Sequence, residues 1–175
     1  MTQFSYALRL THWIMAALVL AMLFIGVGMV NTVSEWRLTL FAWHKPLGIL
    51  IFVLVIVRIV LRAKSAKPKL PADLPKPARF AAKASHLLLY LCLLLMPLFG
   101  WATLSAGGFP VTLGAGVSLP PIWSESAPSY AFFRLGHKYL AWAFFVLILG
   151  HMTMGLYHGL IRRDGVLQAI SLKKH

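Results

Sequence analysis

Three histidines on one apolar stretch, residues 134–163, could do chemistry together: His137, His151 and His158. On an α-helix at about 100° per residue, the 14-residue step from His137 to His151 returns to within roughly 40° of the same face. The same step separates the two imidazoles by roughly 21 Å along the axis, most of the thickness of a hydrocarbon core. His158 follows 7 residues later, again near that face. A spanning helix that points imidazoles one way at two depths suits two stacked metal centres.

The elements that must position them follow from composition. The chain has 175 residues, 59% hydrophobic and 12% charged, which is the composition of an integral membrane protein with a single domain, 1–175. Four segments reach the roughly 20 apolar residues a spanning helix needs, at 7–29, 42–62, 84–104 and 134–158. The expected architecture is all-α, a four-helix transmembrane bundle. Between the spans lie a short polar link (30–41), a basic proline-rich link (63–83) with Pro68, Pro71, Pro75 and Pro77, read as extended and exposed, and a Gly/Pro/Ser-rich loop (105–133). Pro97 predicts a kink in the third span.

The net charge of +13 could suggest nucleic acid, but the basic residues cluster at span ends, so no nucleic-acid partner is expected. One face gathers Arg9, Arg62, Lys64, Lys67, Lys69, Lys76, Arg79, Lys83, Arg162, Arg163, Lys173 and Lys174; the other has only Arg37, Lys45, Arg134 and Lys138. Twelve against four places both termini in the cytoplasm. Arg58, about a turn inside the second span, is expected to snorkel. Cys92 is the single cysteine, which excludes an intrachain disulfide and a thiolate cluster. The first segment lacks a small-residue cleavage site and reads as a retained span.

In this topology His44 and His137 share the outer level and form a natural pair. His12 and His86 lie near inner span ends, with His158 at a similar depth and His151 about 10 Å deeper. Ionisable groups at such depths are costly and read as functional, and neutral imidazole is a natural ligand for iron. For a lone histidine an interhelical hydrogen bond explains as much. Two histidines without carboxylate or thiolate partners make a poor zinc site, whereas bis-histidine haem iron needs only two facing imidazoles inside a bundle. Depth alone leaves the inner pair open, allowing His12 with His158 or His86 with His158.

Taken together, the pieces resemble the bacterial cytochrome b561 family. These are His12-Trp13; His44-Lys45-Pro46-Leu47-Gly48 leading to Val57-Arg58-Ile59-Val60-Leu61-Arg62; Ser85-His86-Leu87 through Tyr90 to Pro97 and Gly100; and Gly136-His137-Lys138 followed by His151 and His158. The resemblance covers essentially the whole chain. It implies two haem b groups, His12 and His151 as axial ligands of the inner one, and His44 and His137 as those of the outer one. His158 is implied to lie beside ubiquinone, and His86 to be a quinone-site residue or a hydrogen-bonding neighbour. Arg9, Lys45, Arg134 and Lys138 are the candidate partners of haem propionates, with Trp43 as an indole donor.

The resemblance further implies an oxidoreductase that oxidises superoxide at the periplasmic face and reduces ubiquinone, with no obligatory protein partner. Outward cations Arg37, Lys45, Arg134 and Lys138, set against Glu35 and Glu125, would steer a small anion. The competing expectation is an electron-transfer subunit or anchor serving a periplasmic dehydrogenase or hydrogenase. A third is a haem-free membrane protein whose histidines only pack. No CxxCH motif is present, so the haem would be held without covalent attachment.

Overall fold

The structure, a computed structural model, describes residues 3–65, 68, 73–114 and 116–173. Four long helices dominate it: α1 (Tyr6–Asn31), α2 (Trp36–Lys64), α3 (Lys76–Ala106) and α4 (Ala127–Leu156). The last continues as a π-helical segment, Tyr157–Arg162, and a short α5 (Val166–Ile170) follows. All four long helices are long and apolar enough to cross a membrane. At about 1.5 Å per residue, even 26 residues in α1 exceed the roughly 30 Å of a hydrocarbon core.

The helices run past the expected spans because the flanking polar residues continue the helical hydrogen bonding into the interface. The link expected at 30–41 shortens to 32–35, and Arg37 and Trp36 belong to α2. In the middle link, Pro75 caps α3 and Pro77 sits in its first turn, where a missing N–H costs nothing. Arg79 donates back to the Leu74 carbonyl at 2.8 Å, and Leu74 is buried, so the extended, exposed reading fails at that end of the link. Lys67, Lys69 and Pro71 lie outside the described residues, as does Lys174. Both Pro46 and Pro97 are accommodated inside helices that continue through them.

The loop expected at 105–133 has structure of its own. Strands β1 (Val111–Gly114) and β2 (Val117–Leu119) pair antiparallel into a hairpin against α2 and α3, and α4 begins at Ala127. The Ser126 hydroxyl caps that start by accepting from the Ser129 N–H.

Packing divides the bundle into two antiparallel hairpins, α1 with α2 and α3 with α4, joined along α2 and α3. Between the two histidine levels lies an apolar layer of Cys92, Phe144 and Ile148, lined by Val19, Leu20, Leu23, Leu93 and Met96. Much of the remaining apolar surface faces outward: Trp142 is 62% and Val146 65% exposed, as lipid-facing side chains are.

Both chain ends meet on one face. After the π-helical segment, Arg163 (φ 51°) and Gly165 (φ 86°) take left-handed conformations, and the second needs glycine to do so without strain. That turn folds α5 back under the bundle. The Phe4 N–H donates to the Ala169 carbonyl at 3.0 Å, Gln3 Nε2 to the carbonyls of Gln168 and Lys173, and Trp13 Nε1 to that of Ile170.

Candidate functional site

Helix rise and packing bring five of the histidines to two levels, and the facing partners can be read directly. On the face away from the termini, His44 of α2 and His137 of α4 have ring centroids 6.1 Å apart. On the side of the termini, His12 of α1 and His151 of α4 lie 6.2 Å apart. A metal–imidazole bond of about 2 Å, plus about 1.1 Å from nitrogen to ring centre, puts two coaxial axial ligands about 6.2 Å apart. Both pairs therefore suit one metal ion between two imidazoles.

The surroundings of each ring fit the same use. The His137 Nδ1 lies 3.0 Å from the Met96 carbonyl, so it carries the proton and leaves Nε2 as the free lone pair. Gly100 makes space for that ring: a Cβ there would sit 3.3 Å from His137 Cε1. His12 Nδ1 and His44 Nδ1 are buried with no protein partner. Orphaned imidazole nitrogens in both pairs are costly unless something other than protein occupies the space between the helices. Among the described residues no group of three or more His, Cys, Asp and Glu could hold a metal ion. Two facing imidazoles suit an ion whose other ligands come from a planar macrocycle such as a porphyrin.

His86 stands beside the inner pair. Its ring lies edge-on to His151 at 5.5 Å, closer than coaxial ligands would stand, and its Nδ1–H donates to the Ala82 carbonyl at 2.6 Å. His158 takes neither inner partner that depth alone allows. It sits in the π-helical segment beside Tyr157, with Nδ1 2.7 Å from Asp164 Oδ2. Asp164 also accepts from Arg162 Nε at 2.8 Å and from the Val166 N–H at 3.2 Å, and Arg162 reaches on to the exposed Asp73. Burial alone would raise the Asp164 carboxyl, but the hydrogen bonds from His158 and Val166 and the charges of His158 and Arg162 outweigh it. They hold the group below its ordinary range.

Because Asp164 is depressed in the folded chain, its contribution to stability is complete above the unfolded carboxyl pKa of about 3.9 and disappears as pH falls through the folded value. Asp164→Asn is therefore expected to lower the melting temperature of the detergent-solubilised protein at neutral pH. The gap between variant and parent is expected to close below about pH 4, as the parent carboxyl itself protonates. A gap independent of pH would mean that the carboxylate charge contributes nothing. Sequence reasoning passed over Asp164; the signal was one of only four acids placed six residues after an intramembrane histidine.

The expected cations behave differently from one another. Arg9 is 5% exposed; its Nη1 donates to Gln3 Oε1 at 2.9 Å and the Ser171 carbonyl at 2.7 Å, while its Nε is buried without a protein partner. Through Nη1 it ties the folded-back tail to α1. Arg58 reaches across to the first turns of α1, where its Nη1 donates to the Leu8 carbonyl at 2.6 Å and to Thr11 Oγ1 at 3.1 Å. Lys45 Nζ donates to Thr112 of the hairpin at 2.8 Å and lies over Phe41. Lys138 lies over Tyr139, and Arg134 and Trp43 are exposed.

A family model for prokaryotic cytochrome b561 matches residues 3–171. The chain is 31% identical over 160 residues to cytochrome b561 homolog 2 of Escherichia coli (strain K12), covering 90% of this chain and 85% of that protein. It is 25% identical over 175 residues to cytochrome b561 homolog 1 of the same organism, covering 95% and 96%. With four spanning-length helices and a match over nearly its whole length, the chain belongs to the prokaryotic cytochrome b561 family, multi-pass membrane cytochromes that bind haem b and transfer electrons.

Proposed function

We propose that the chain holds two haem b groups, one between His12 and His151 and one between His44 and His137, and that it carries electrons across a bacterial inner membrane from periplasmic superoxide to ubiquinone. The single observation that carries the reading is the 6.2 Å and 6.1 Å separation of two imidazole pairs at opposite ends of one bundle. Bound there, each haem supplies a one-electron iron couple, and two imidazoles leave dioxygen no coordination site. The chain's residues fix the rest. Met96 orients the His137 ring, and the apolar layer at Phe144 and Ile148 keeps water from the space between the levels.

Both termini face the cytoplasm in this reading, because the cation-rich span ends lie with them. Quinone binds on that side beside His158. Asp164 accepts from the His158 Nδ1–H, so Nε2 faces the quinone; a second proton, taken up at Nε2 from the cytoplasmic side, is the one donated to a quinone oxygen. One quinone takes two electrons from two superoxide ions, each released as dioxygen, and two protons from the cytoplasmic side. At the other face Lys45, Arg134 and Lys138 draw the small anion in.

The test is direct. The purified chain, reconstituted with a ubiquinone analogue, is expected to carry about two haems, to show sharp b-type bands in a reduced-minus-oxidised spectrum, and to reduce the quinone when superoxide is generated outside. Two haems without turnover until a periplasmic dehydrogenase is supplied would favour the electron-transfer subunit, and a colourless folded preparation would remove the reading altogether.

A further inference from the structure

One charge in the bundle has no use so far. Arg58 lies within α2, in the membrane-spanning part of the chain, and its guanidinium donates to the Leu8 carbonyl and the Thr11 hydroxyl. Both of these partners are neutral. The chain has only four acids. Asp73 and Asp164 pair with Arg162, Glu125 lies against Gly108 near the hairpin, and Glu35 precedes α2 at its opposite end. Among the described residues no carboxylate pairs with Arg58. A cation held at that depth without a counter-charge is expensive, and such residues are kept for function.

Its position is one-sided. Arg58 Nη1 donates to Thr11, the residue before His12, and to Leu8, one turn before it, so the guanidinium stands beside the His12–His151 pair. At the other end Lys45 is turned to Thr112 of the hairpin and Lys138 to Tyr139. One of the two imidazole pairs thus lies in the field of a fixed cation inside a low-dielectric bundle, where such a field is strong.

We propose that Arg58 raises the reduction potential of the haem between His12 and His151 above that of the haem between His44 and His137, and so sets the direction of electron flow toward the face bearing the termini. The inference rests on the ligation proposed above. A ferric iron in a porphyrin dianion with two neutral imidazoles carries one net positive charge, and its ferrous form carries none. A neighbouring guanidinium destabilises the first and leaves the second almost untouched. With haem bound at both pairs, one electron would pass from the outer site, which would be oxidised, to the inner site, which would be reduced, with no proton moving with it.

The experiment is a spectroscopic redox titration of full-length protein in which each haem is observed alone. In a His44→Ala background only the inner haem remains; in a His12→Ala background, only the outer one. Arg58→Gln is expected to lower the midpoint potential in the first background and leave it unchanged in the second. Arg58→Lys, which keeps the charge, is expected to retain most of the parent value. A tenfold loss in the preference for the inner site would appear as a fall of about 59 mV for a one-electron couple. Equal potentials in parent and Arg58→Gln protein would overturn the proposal, as would Arg58→Lys falling as far as Arg58→Gln, which would assign the effect to packing. Loss of the inner haem in Arg58→Gln would make Arg58 a residue that holds the haem and would equally overturn it. Failure of the parent to bind two haems would instead reject the ligation, a distinct result.

Discussion

Replacing His44 or His137 with alanine is expected to halve the haem content, leaving one haem with an intact spectrum, and replacing His12 or His151 is expected to remove the other. The reason is that the two pairs share a helix but not a cavity. Cys92, Phe144 and Ile148 form a buried layer between them, so losing one axial imidazole empties one site without opening the next. A bis-imidazole site that loses a ligand also loses the bond that fixes the macrocycle's tilt. His86→Ala is the control: its Nδ1 already serves Ala82 and its ring stands too near His151 for coaxial ligation, so both haems are expected to stay. The check is haem per chain together with the reduced-minus-oxidised spectrum. A haem-depleted His86→Ala protein would move the inner ligand from α1 to α3.

The second large effect is expected at His158. His158→Ala is expected to keep both haems and to slow quinone reduction by about 10²-fold, the usual worth of one positioned acid–base group. The protein's reduction by superoxide would remain fast, so the haems would accumulate in the reduced form. The argument is geometric. His158 occupies a π-helical turn, a rare form that concentrates at functional sites, and its ring is locked by an anionic Asp164 only 11% exposed. Stopped-flow oxidation of the reduced protein by quinone separates this step from entry of electrons. Unchanged oxidation in His158→Ala would place the quinone elsewhere.

The outer pair was legible in the sequence because it depends on depth alone. His44 and His137 each lie within the first turn of an expected span, 42–62 and 134–158, entered from the same side, and helical rise is enough to match them. The inner pair was not, because His12, His86 and His158 share a depth, and the choice among them depends on how each helix is rotated. That rotation is set by packing. The tight α1–α2 and α3–α4 hairpins turn His12 toward α4. His158 was displaced from the helical face by the π-helical segment, which no apolar periodicity announces. Arg9 reads in sequence as an interfacial cation, and only the return of the tail over it buries the guanidinium. The hairpin had a local signal, Val111-Thr112-Leu113 and Val117-Ser118-Leu119 around Gly114 and Gly116, hidden in a stretch rich in turn residues.

The dependence of both facing pairs on α4 also orders biosynthesis. When the first three helices have left the ribosome, His12 and His44 sit on opposite ends of a finished hairpin with nothing across from them. The missing half of each pair arrives only with the last span, and the clasp of Gln3, Phe4 and Trp13 on residues 168–173 closes later still. On the proposed ligation, pigment in the membrane would report full-length synthesis: a chain truncated before α4 inserts is expected to be colourless, however well its first hairpin is formed.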